Sequence, residues 1–229
     1  MDWREYWNGP HPIYVNARHR TLHFARIAAD IAALVPGPVS IALDYGCGEA
    51  DAAGAVAEHC GKLYLFDTAP SVIDNLQRKF AANARIEILD EAALNKLPDQ
   101  SLDFVIINSV VQYLSHAQLG AALDLLHRKL KPTGLLAIGD VIHVNDNAIA
   151  DTLALFRFAW DDGFVFAAFM GVLRTIFSDY RKLRDKLGLT RYTPEDFIKL
   201  LGTHGFSGHR AARNIGHNQG RMLFVATPV

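Results

Sequence analysis

A strand followed at once by two closely spaced glycines, in the run IALDYGCGEA at residues 41–50, constrains the fold of this chain more than any other feature. The apolar residues 41–43 predict the end of a buried strand, and Gly46 and Gly48 predict a tight turn into a helix. Glycine suits such a turn because a side chain would keep a ligand away from the backbone. In open α/β sheets this turn lies at the carboxyl ends of the strands, where nucleotide-like ligands bind.

The residues around the turn indicate which ligand it suits. A dinucleotide site has the pattern GxGxxG, so that a pyrophosphate rests on the helix N-terminus. Here Asp51 stands at the third glycine position and Glu49 lies beside it, and two carboxylates would repel a pyrophosphate. Asp44, two residues before the first glycine, is instead placed to pair with an ammonium group.

The run LDYGCGEA resembles the first motif of the class I S-adenosylmethionine-dependent methyltransferases. That motif is a strand ending in an acid, then GxG and a third small residue, a position that Ala50 holds here. The resemblance implies that the backbone of Gly46, Cys47 and Gly48 holds the methionine end of S-adenosylmethionine. It also implies that Asp44 contacts the amino group of that cofactor.

Two further runs resemble later motifs of the same family. After a helical stretch over residues 52–59, the run KLYLFD ends in Asp67. A carboxylate at that strand tip can accept both ribose hydroxyls, and it can also cap the next helix. The run RIEILD ends in Asp90, with Glu91 and Ala92 behind it. The resemblance implies that this loop meets the adenine ring.

The resemblance continues through a fourth and a fifth strand. The run PDQSLDFVIINSVVQYL is similar to the family's fourth-strand motif, in which residues 108–112 lie near the sulfonium. The run LKPTGLLAIGDVI is similar to the fifth strand, so that the motifs span residues 40–142. The predicted cofactor contacts are Asp44, Gly46, Cys47, Gly48, Asp67, Thr68, Asp90, Glu91, Ala92 and Asn108.

The chain length and the alternation of strands and helices predict a single α/β domain. A chain of 229 residues with 50% hydrophobic content can bury one sizeable core. Alternating strands and helices predict a parallel sheet covered on both faces, and the resemblance implies a Rossmann-like sheet of seven strands with an antiparallel last strand. The predicted segments are a lid and helix (1–38), a cofactor-binding core (39–142), a helical insertion or substrate lid (143–192), and a last helix and two strands (193–229).

Composition argues against several classes of partner. The formal net charge is −1, and no block of basic residues alternates with aromatic ones, which disfavours nucleic acid. The first residues contain no apolar stretch of the kind that signal peptides have. The two cysteines, Cys47 and Cys60, predict no disulfide, and we expect a cytoplasmic location. No metal site is predicted.

Two regions outside the motifs bear on the acceptor. Aromatic side chains of the N-terminal arm, such as Trp3 and Trp7, either cover the sulfonium or pack the arm onto the sheet. The insertion at residues 144–192 is longer than an ordinary connection, and its stretch 164–173 is apolar nearly all round. A basic segment follows at residues 180–186. The insertion is therefore a substrate lid, a homodimer contact or a peripheral membrane contact.

Methyl transfer is an in-line displacement, so that positioning does most of the work, and a base is needed only for acceptors that lose a proton. The candidate bases are His143 and His217, then His11, His19 and His23, although surface histidines of purely structural role are common. Gln112 and Tyr113 are predicted to orient the acceptor. The resulting hypothesis is methyl transfer from S-adenosylmethionine to a small molecule, with an apolar or lipid-like acceptor as one option. The alternatives are an NAD-dependent oxidoreductase, a non-catalytic S-adenosylmethionine-binding protein, and a methyltransferase for protein side chains, which would need an open groove where the apolar insertion suggests a lid.

Overall fold

The computed structural model describes residues 17–146 and 188–229. The aromatic N-terminal arm with His11, and most of the helical insertion, lie outside these residues. Within the described ranges, no helix has the length and apolar character needed to cross a membrane. Cys47 and Cys60 are both free thiols.

A seven-stranded sheet in the order β3-β2-β1-β4-β5-β7-β6 forms the centre of the molecule. Strands β1 to β5 run parallel, and β7 runs antiparallel to both β5 and β6. The strands are β1 Ile41–Tyr45, β2 Lys62–Phe66, β3 Ile86–Leu89, β4 Leu102–Asn108, β5 Leu130–Val141, β6 Phe206–Arg210 and β7 Met222–Pro228. This topology confirms the predicted fold class.

Helices connect the strands and cover both faces of the sheet. They are α1 Ala17–Ala32, α2 Ala53–Ala57, α3 Pro70–Phe80, α4 Glu91–Lys96, α5 His116–Lys129 and α6 Pro194–Thr203, with a 3₁₀ turn at Val111–Tyr113. One apolar cluster joins the sheet to α4, α5 and α6, and a second joins it to α1, α2 and α3. Burying both faces explains why residues 41–43 of β1 and 104–107 of β4 form continuous apolar runs.

Side-chain caps set several helix starts as the sequence suggests. Thr193 accepts a hydrogen bond from the Asp196 amide at 3.1 Å, with Pro194 at the first helical position. Ser115 and Gln118 form a reciprocal capping box at the start of α5. The helical stretch predicted over residues 52–59 is shorter in the structure, where α2 spans Ala53–Ala57.

The order of the strands places the functional site. Strand β1 lies between β2 and β4, so that the connections leave it toward opposite sides of the sheet. A crevice opens at such a switch point, at the carboxyl ends of the strands. The glycine turn after β1 borders this crevice.

Candidate functional site

A cavity of about 1320 Å³ opens at the carboxyl ends of β1, β2 and β4. It extends between α1 on one face of the sheet and α5 on the other. Ten of the fourteen predicted site residues line it: Asp44, Gly46, Cys47, Gly48, Asp67, Thr68, Glu91, Asn108, Gln112 and Tyr113. The other four, Asp90, Ala92, His143 and His217, do not.

The two glycines of the turn serve different purposes. Gly46 has φ +75°, and a Cβ there would lie 2.6 Å from Cγ2 of Val110. Gly48 has φ +56°, and a Cβ there would meet no atom within 4 Å among the described residues. Packing within the protein therefore requires Gly46. Gly48 leaves open space against the cavity wall, as close approach of a ligand to the backbone requires.

Asp44 is an unneutralised carboxylate at the tip of β1. Burial, and secondarily the nearby Asp67, raise the pKa of Asp44 to about 7. Among the described residues no hydrogen-bond donor or cation contacts its carboxylate. A cationic ligand group in the cavity would stabilise the ionised form of Asp44.

Cys47 lies between the two glycines, in surroundings that disfavour its thiolate form. Burial, then the charges of Asp44 and Asp67, raise the pKa of its thiol well above the usual value. The neutral thiol is therefore the favoured form of this side chain.

Asp67 ties the tip of β2 to the glycine turn. Its Oδ2 accepts a hydrogen bond from the Gly48 amide at 3.0 Å, and its Oδ1 accepts one from the Ala69 amide at 2.9 Å. The cap of α3 is Ala69 and not Asp67, so the predicted capping role is wrong. Each carboxylate oxygen keeps a second lone pair, and ribose binding by Asp67 stays a prediction.

Ion pairs fix the acidic side of the turn. Arg20 of α1 contacts Asp51 and, at 2.7 Å, Glu49. Lys79 of α3 also contacts Asp51, and it donates a hydrogen bond to the Glu49 carbonyl at 2.7 Å. Burial opposes ionisation of Asp51, yet these two cations hold its pKa below the usual value. The carboxylate at the third glycine position therefore holds α1 and α3 against the turn.

At the β3 end of the cavity, the structure separates residues that the sequence grouped together. Asp90 is exposed and accepts a hydrogen bond from the Ala93 amide at 2.7 Å as the N-cap of α4. Glu91 lines the cavity, as does Tyr45, whose ring lies 4.8 Å from that of Phe66. An adenine contact by Glu91 stays a prediction. The sequence motifs did not predict the pair of Tyr45 and Phe66, because those motifs concern only the acids at the strand tips.

Neither His143 nor His217, the first two candidate bases, is among the residues that line the cavity. His143 Nδ1 accepts a hydrogen bond from the Asn145 amide at 3.1 Å, and its backbone pairs with Tyr192. The His217 ring lies 5.4 Å from that of His23, edge to face. In the loop that carries His217, the amide nitrogen of Gln219 donates to the carbonyls of Asn214 and Gly216. The loop between β6 and β7 is therefore braced internally.

The structure reveals instead a polar cluster at the tips of β4 and β5. Ser109 Oγ donates to Asp140 Oδ2 at 2.9 Å and accepts from Asn108 Nδ2 at 3.2 Å. Gln112 Nε2 donates to the Ser109 carbonyl at 2.9 Å. Ser109 and Asp140 have φ values of +59° and +61°, which are rare outside glycine. The sequence carries no signal for this conformation.

Metal binding has no support in the described residues. No group of three or more histidine, cysteine, aspartate or glutamate side chains within residues 17–146 and 188–229 could hold a metal ion.

Comparisons with known proteins agree with this geometry. Residues 42–134 match the family described as a methyltransferase domain. Nodulation protein S of Rhizobium tropici is 28% identical over 113 residues, which are 49% of this chain and 48% of that protein. The chain thus matches about half the length of this curated relative.

Solved structures extend the likeness over nearly the whole chain. Magnesium protoporphyrin IX methyltransferase from Synechocystis, with bound S-adenosylhomocysteine, aligns with a TM-score of 0.59 and 16% identity, covering 98% of this chain and 92% of that one. The DhpI complex with S-adenosylhomocysteine aligns with a TM-score of 0.61 and 11% identity, covering 98% and 94%. At these identities the likeness concerns the fold.

Sheet order, glycine turn and strand-tip acids define a class I methyltransferase fold with its cofactor crevice. Residues 42–134 match the methyltransferase-domain family, and the whole chain shares the fold of the class I S-adenosylmethionine-dependent methyltransferases. S-adenosylmethionine is the cofactor of that family, as the sequence resemblance implied.

Proposed function

We propose that this protein transfers the methyl group of S-adenosylmethionine to a small-molecule acceptor held in the same cavity. The observation that carries the proposal is the Asp44 carboxylate, which faces the cavity without a partner among the described residues. The ammonium group of the cofactor supplies the missing cation. Beside it, the open side of Gly48 accommodates the methionine chain against the backbone.

The remaining cofactor contacts follow from the same geometry. Asp67 would accept the ribose hydroxyls with its free lone pairs, while its bonds to Gly48 and Ala69 hold it in place. Tyr45, Glu91 and Leu94 would surround the adenine.

Charge separates this function from the NAD-dependent alternative. Asp44 and Asp67 line the cavity at the turn, with Glu49 at its rim. The cations next to the turn, Arg20 and Lys79, are already paired with acids. A doubly charged pyrophosphate would meet net repulsion there, whereas a sulfonium and an ammonium are attracted.

The size of the cavity supports a second small molecule beside the cofactor. Its volume of about 1320 Å³ exceeds the roughly 300–1,000 Å³ of most small-molecule sites. Apolar side chains form much of the wall: Phe24, Ile27 and Ile31 on α1, and Ala121, Ala122 and Leu125 on α5. This wall supports an acceptor with an apolar part.

The end of the insertion supports its proposed role as a substrate lid. Gly188 and Thr190, directly after the residues outside the described range, line the cavity. The Thr190 amide donates to the Gln112 carbonyl at 3.0 Å, and its hydroxyl donates to the Leu114 carbonyl at 2.8 Å. The insertion thus returns to the chain at the cavity wall. A homodimer contact or a membrane contact remains open for residues 147–187.

For methyl transfer, the protein mainly has to hold the cofactor and the acceptor in line with each other. Bound S-adenosylmethionine supplies an activated methyl group on a sulfonium. Asp44 and the turn fix the cofactor, while Gln112 and Tyr113 line the far side, where an acceptor would be oriented. Fixing the attack geometry and excluding water account for most of the rate enhancement in such a transfer.

The class of partner and the cellular location are also proposals. The net charge of −1 supports a small molecule over nucleic acid as the partner. The free thiols of Cys47 and Cys60 support a cytoplasmic location.

The test is transfer of label from methyl-labelled S-adenosylmethionine into the small-molecule fraction of an extract of the source cells. We expect label with the wild-type protein and none with Asp44→Ala. Asp74→Ala is the matched control, because Asp74 is an exposed acid on α3 outside the cavity lining. Its transfer should equal that of the wild type.

Partitioning the labelled product between an organic and an aqueous phase tests whether the acceptor is apolar. Label in an organic phase supports an apolar acceptor, and label in the aqueous phase contradicts that part of the proposal. Cofactor binding in calorimetry without any transfer would instead favour the non-catalytic alternative.

A further inference from the structure

The polar cluster at the tips of β4 and β5 is defined by Asn108, Ser109, Gln112 and Asp140, of which only Asn108 is a predicted cofactor contact. Three of these residues line the cavity, and Asp140 lies directly behind Ser109 through the 2.9 Å hydrogen bond between their side chains. The cluster is built from long-range contacts, since the Asp140 amide donates to Asn214 Oδ1 at 3.0 Å.

Two side-chain oxygens of the cluster are left without a donor. Gln112 is only 5% exposed, and within the described residues its Oε1 has no hydrogen-bond partner. The buried Oδ1 of Asn108 also has no hydrogen-bond partner within the described residues. Leaving a buried carbonyl without a hydrogen bond lowers stability, so native proteins usually supply a partner. A ligand bound in the cavity can supply one.

Backbone strain at the same place adds to this cost. The left-handed φ values of Ser109 and Asp140 are unfavourable for residues other than glycine and persist only where the surroundings enforce them. Asn214 enforces the position of Asp140, while its own Nδ2 donates to the carbonyls of Ile215 and Asn218 at 3.0 Å. Residues from three separate segments thus hold one hydroxyl and one carboxylate at the cavity.

We infer that Ser109, backed by Asp140, receives the proton of the acceptor atom, and that the acceptor is therefore an amine or a hydroxyl compound. The unsatisfied oxygen of Gln112, and that of Asn108, mark the region as one that accepts hydrogen bonds. This inference rests on the proposed methyl transfer and specifies its acceptor.

The step balances as follows. A lone pair of the acceptor nitrogen or oxygen forms the bond to the methyl carbon, and the carbon–sulfur bond breaks with its electron pair returning to sulfur. The acceptor proton passes to Ser109 Oγ as the Ser109 proton passes to Asp140 Oδ2. Ser109 is thus a catalytic residue, and Asp140 is a positioning residue that acts through it and is later deprotonated by water.

The first experiment changes the two residues separately and measures label transfer into the same extract. Ser109→Gly removes the hydroxyl and suits the positive φ, and Asp140→Asn keeps both the shape and the tolerance for that φ. We expect each to lower the transfer rate about 10²-fold, with the calorimetric affinity for S-adenosylmethionine unchanged. Ser101→Gly, at the opposite end of β4, is the matched control and should keep the wild-type rate.

The pH profile separates proton transfer from simple positioning. In Asp140→Asn the proton must leave to hydroxide, so the residual rate should rise steadily with pH. A merely structural role for Asp140 would preserve the wild-type profile at a lower rate, and that result would overturn the inference.

Acetylation of the extract identifies the acceptor atom. Acetic anhydride blocks amines and hydroxyls, and label incorporation by the wild-type protein should then disappear. Hydroxylamine removes O-acetyl but not N-acetyl groups, so recovery of label indicates a hydroxyl and continued loss indicates an amine. Label that persists in the acetylated extract indicates a carbon acceptor and overturns the inference alone. Failure of the wild type to transfer label to any extract overturns the proposed function and the inference with it.

Discussion

At the scale of single residues, two positions in the glycine turn show how packing and binding are divided. Gly46 is crowded by Val110, whereas Gly48 faces open space. Asp44, next to them, is held in surroundings that disfavour its charge. These residues have one feature in common: each gives up stability or bulk where a cofactor is expected.

Substitution of the two glycines should therefore have opposite consequences. Gly46→Ala should lower the free energy of unfolding by about 1–3 kcal/mol, since its Cβ would overlap the rigid side chain of Val110 and φ is +75°. Gly48→Ala should cost about 1 kcal/mol from φ alone, yet weaken S-adenosylmethionine binding far more than Gly46→Ala does in the folded fraction. Denaturant unfolding and calorimetry measure the two effects. Equal losses of affinity in both variants would contradict the division.

Asp44 should make the unliganded protein less stable as pH rises. Its pKa is about 7 in the folded state and about 3.8 when unfolded, so the folded state binds the extra proton between these values. Stability contributed by the protonated form is full below pH 3.8 and is lost as pH rises to about 7. Between pH 5 and pH 8 we expect a loss of about 2–3 kcal/mol in the wild type relative to Asp44→Asn, measured by denaturant unfolding. A pH dependence shared by both proteins would refute the assignment.

At the scale of elements, buried polar contacts attach the helices to the sheet. Lys129, at the end of α5, is 6% exposed and donates to the carbonyls of Asn95 and Leu97 at 3.1 and 2.6 Å. It also pairs with Asp99 at 2.8 Å. One side chain thus fixes the connection between α4 and β4, the strand whose far end carries Ser109.

Removing that ammonium should destabilise the fold without touching the site. Lys129→Met keeps the apolar stem but leaves two carbonyl oxygens without their donor, at a cost of about 2–4 kcal/mol. Lys199→Met on α6 is the control, since Lys199 is exposed, and it should leave stability unchanged. The measurement is the denaturant midpoint of both variants. A loss in both would point to a general effect of the substitution.

At the scale of the whole molecule, the cavity connects both faces of the sheet, so ligand binding should stabilise the entire domain. With S-adenosylmethionine at 100 times its dissociation constant, the gain is about 2.7 kcal/mol. For a chain of this length that corresponds to a rise in Tm of roughly 5–10 °C. We expect this shift with S-adenosylmethionine, but not with NAD and not in Asp44→Ala. A comparable shift with NAD would favour the oxidoreductase alternative.

How well a feature of this structure can be predicted from the sequence depends on how far apart in the chain the contacting residues are. Alternating strands and helices, the glycine turn and the acids at positions 44 and 67 are local signals, and the structure confirms the sheet that they predict. The Asp140–Asn214 contact is long-range, and the left-handed φ of Asp140 has no local signature. The register shift between Ile138 and Val141 also redirects the chain before His143, so that counting along the strand misplaced that histidine.

The ion pairs of Asp51 restrict how this domain can change its cofactor. A dinucleotide motif would require glycine at that position, yet Asp51→Gly would deprive both Arg20 and Lys79 of a partner and release α1 and α3 from the turn. Asp44 and Glu49 would still repel a pyrophosphate. Conversion to a dinucleotide-binding protein therefore requires several simultaneous substitutions, and each single step would weaken the existing site before a new one could form.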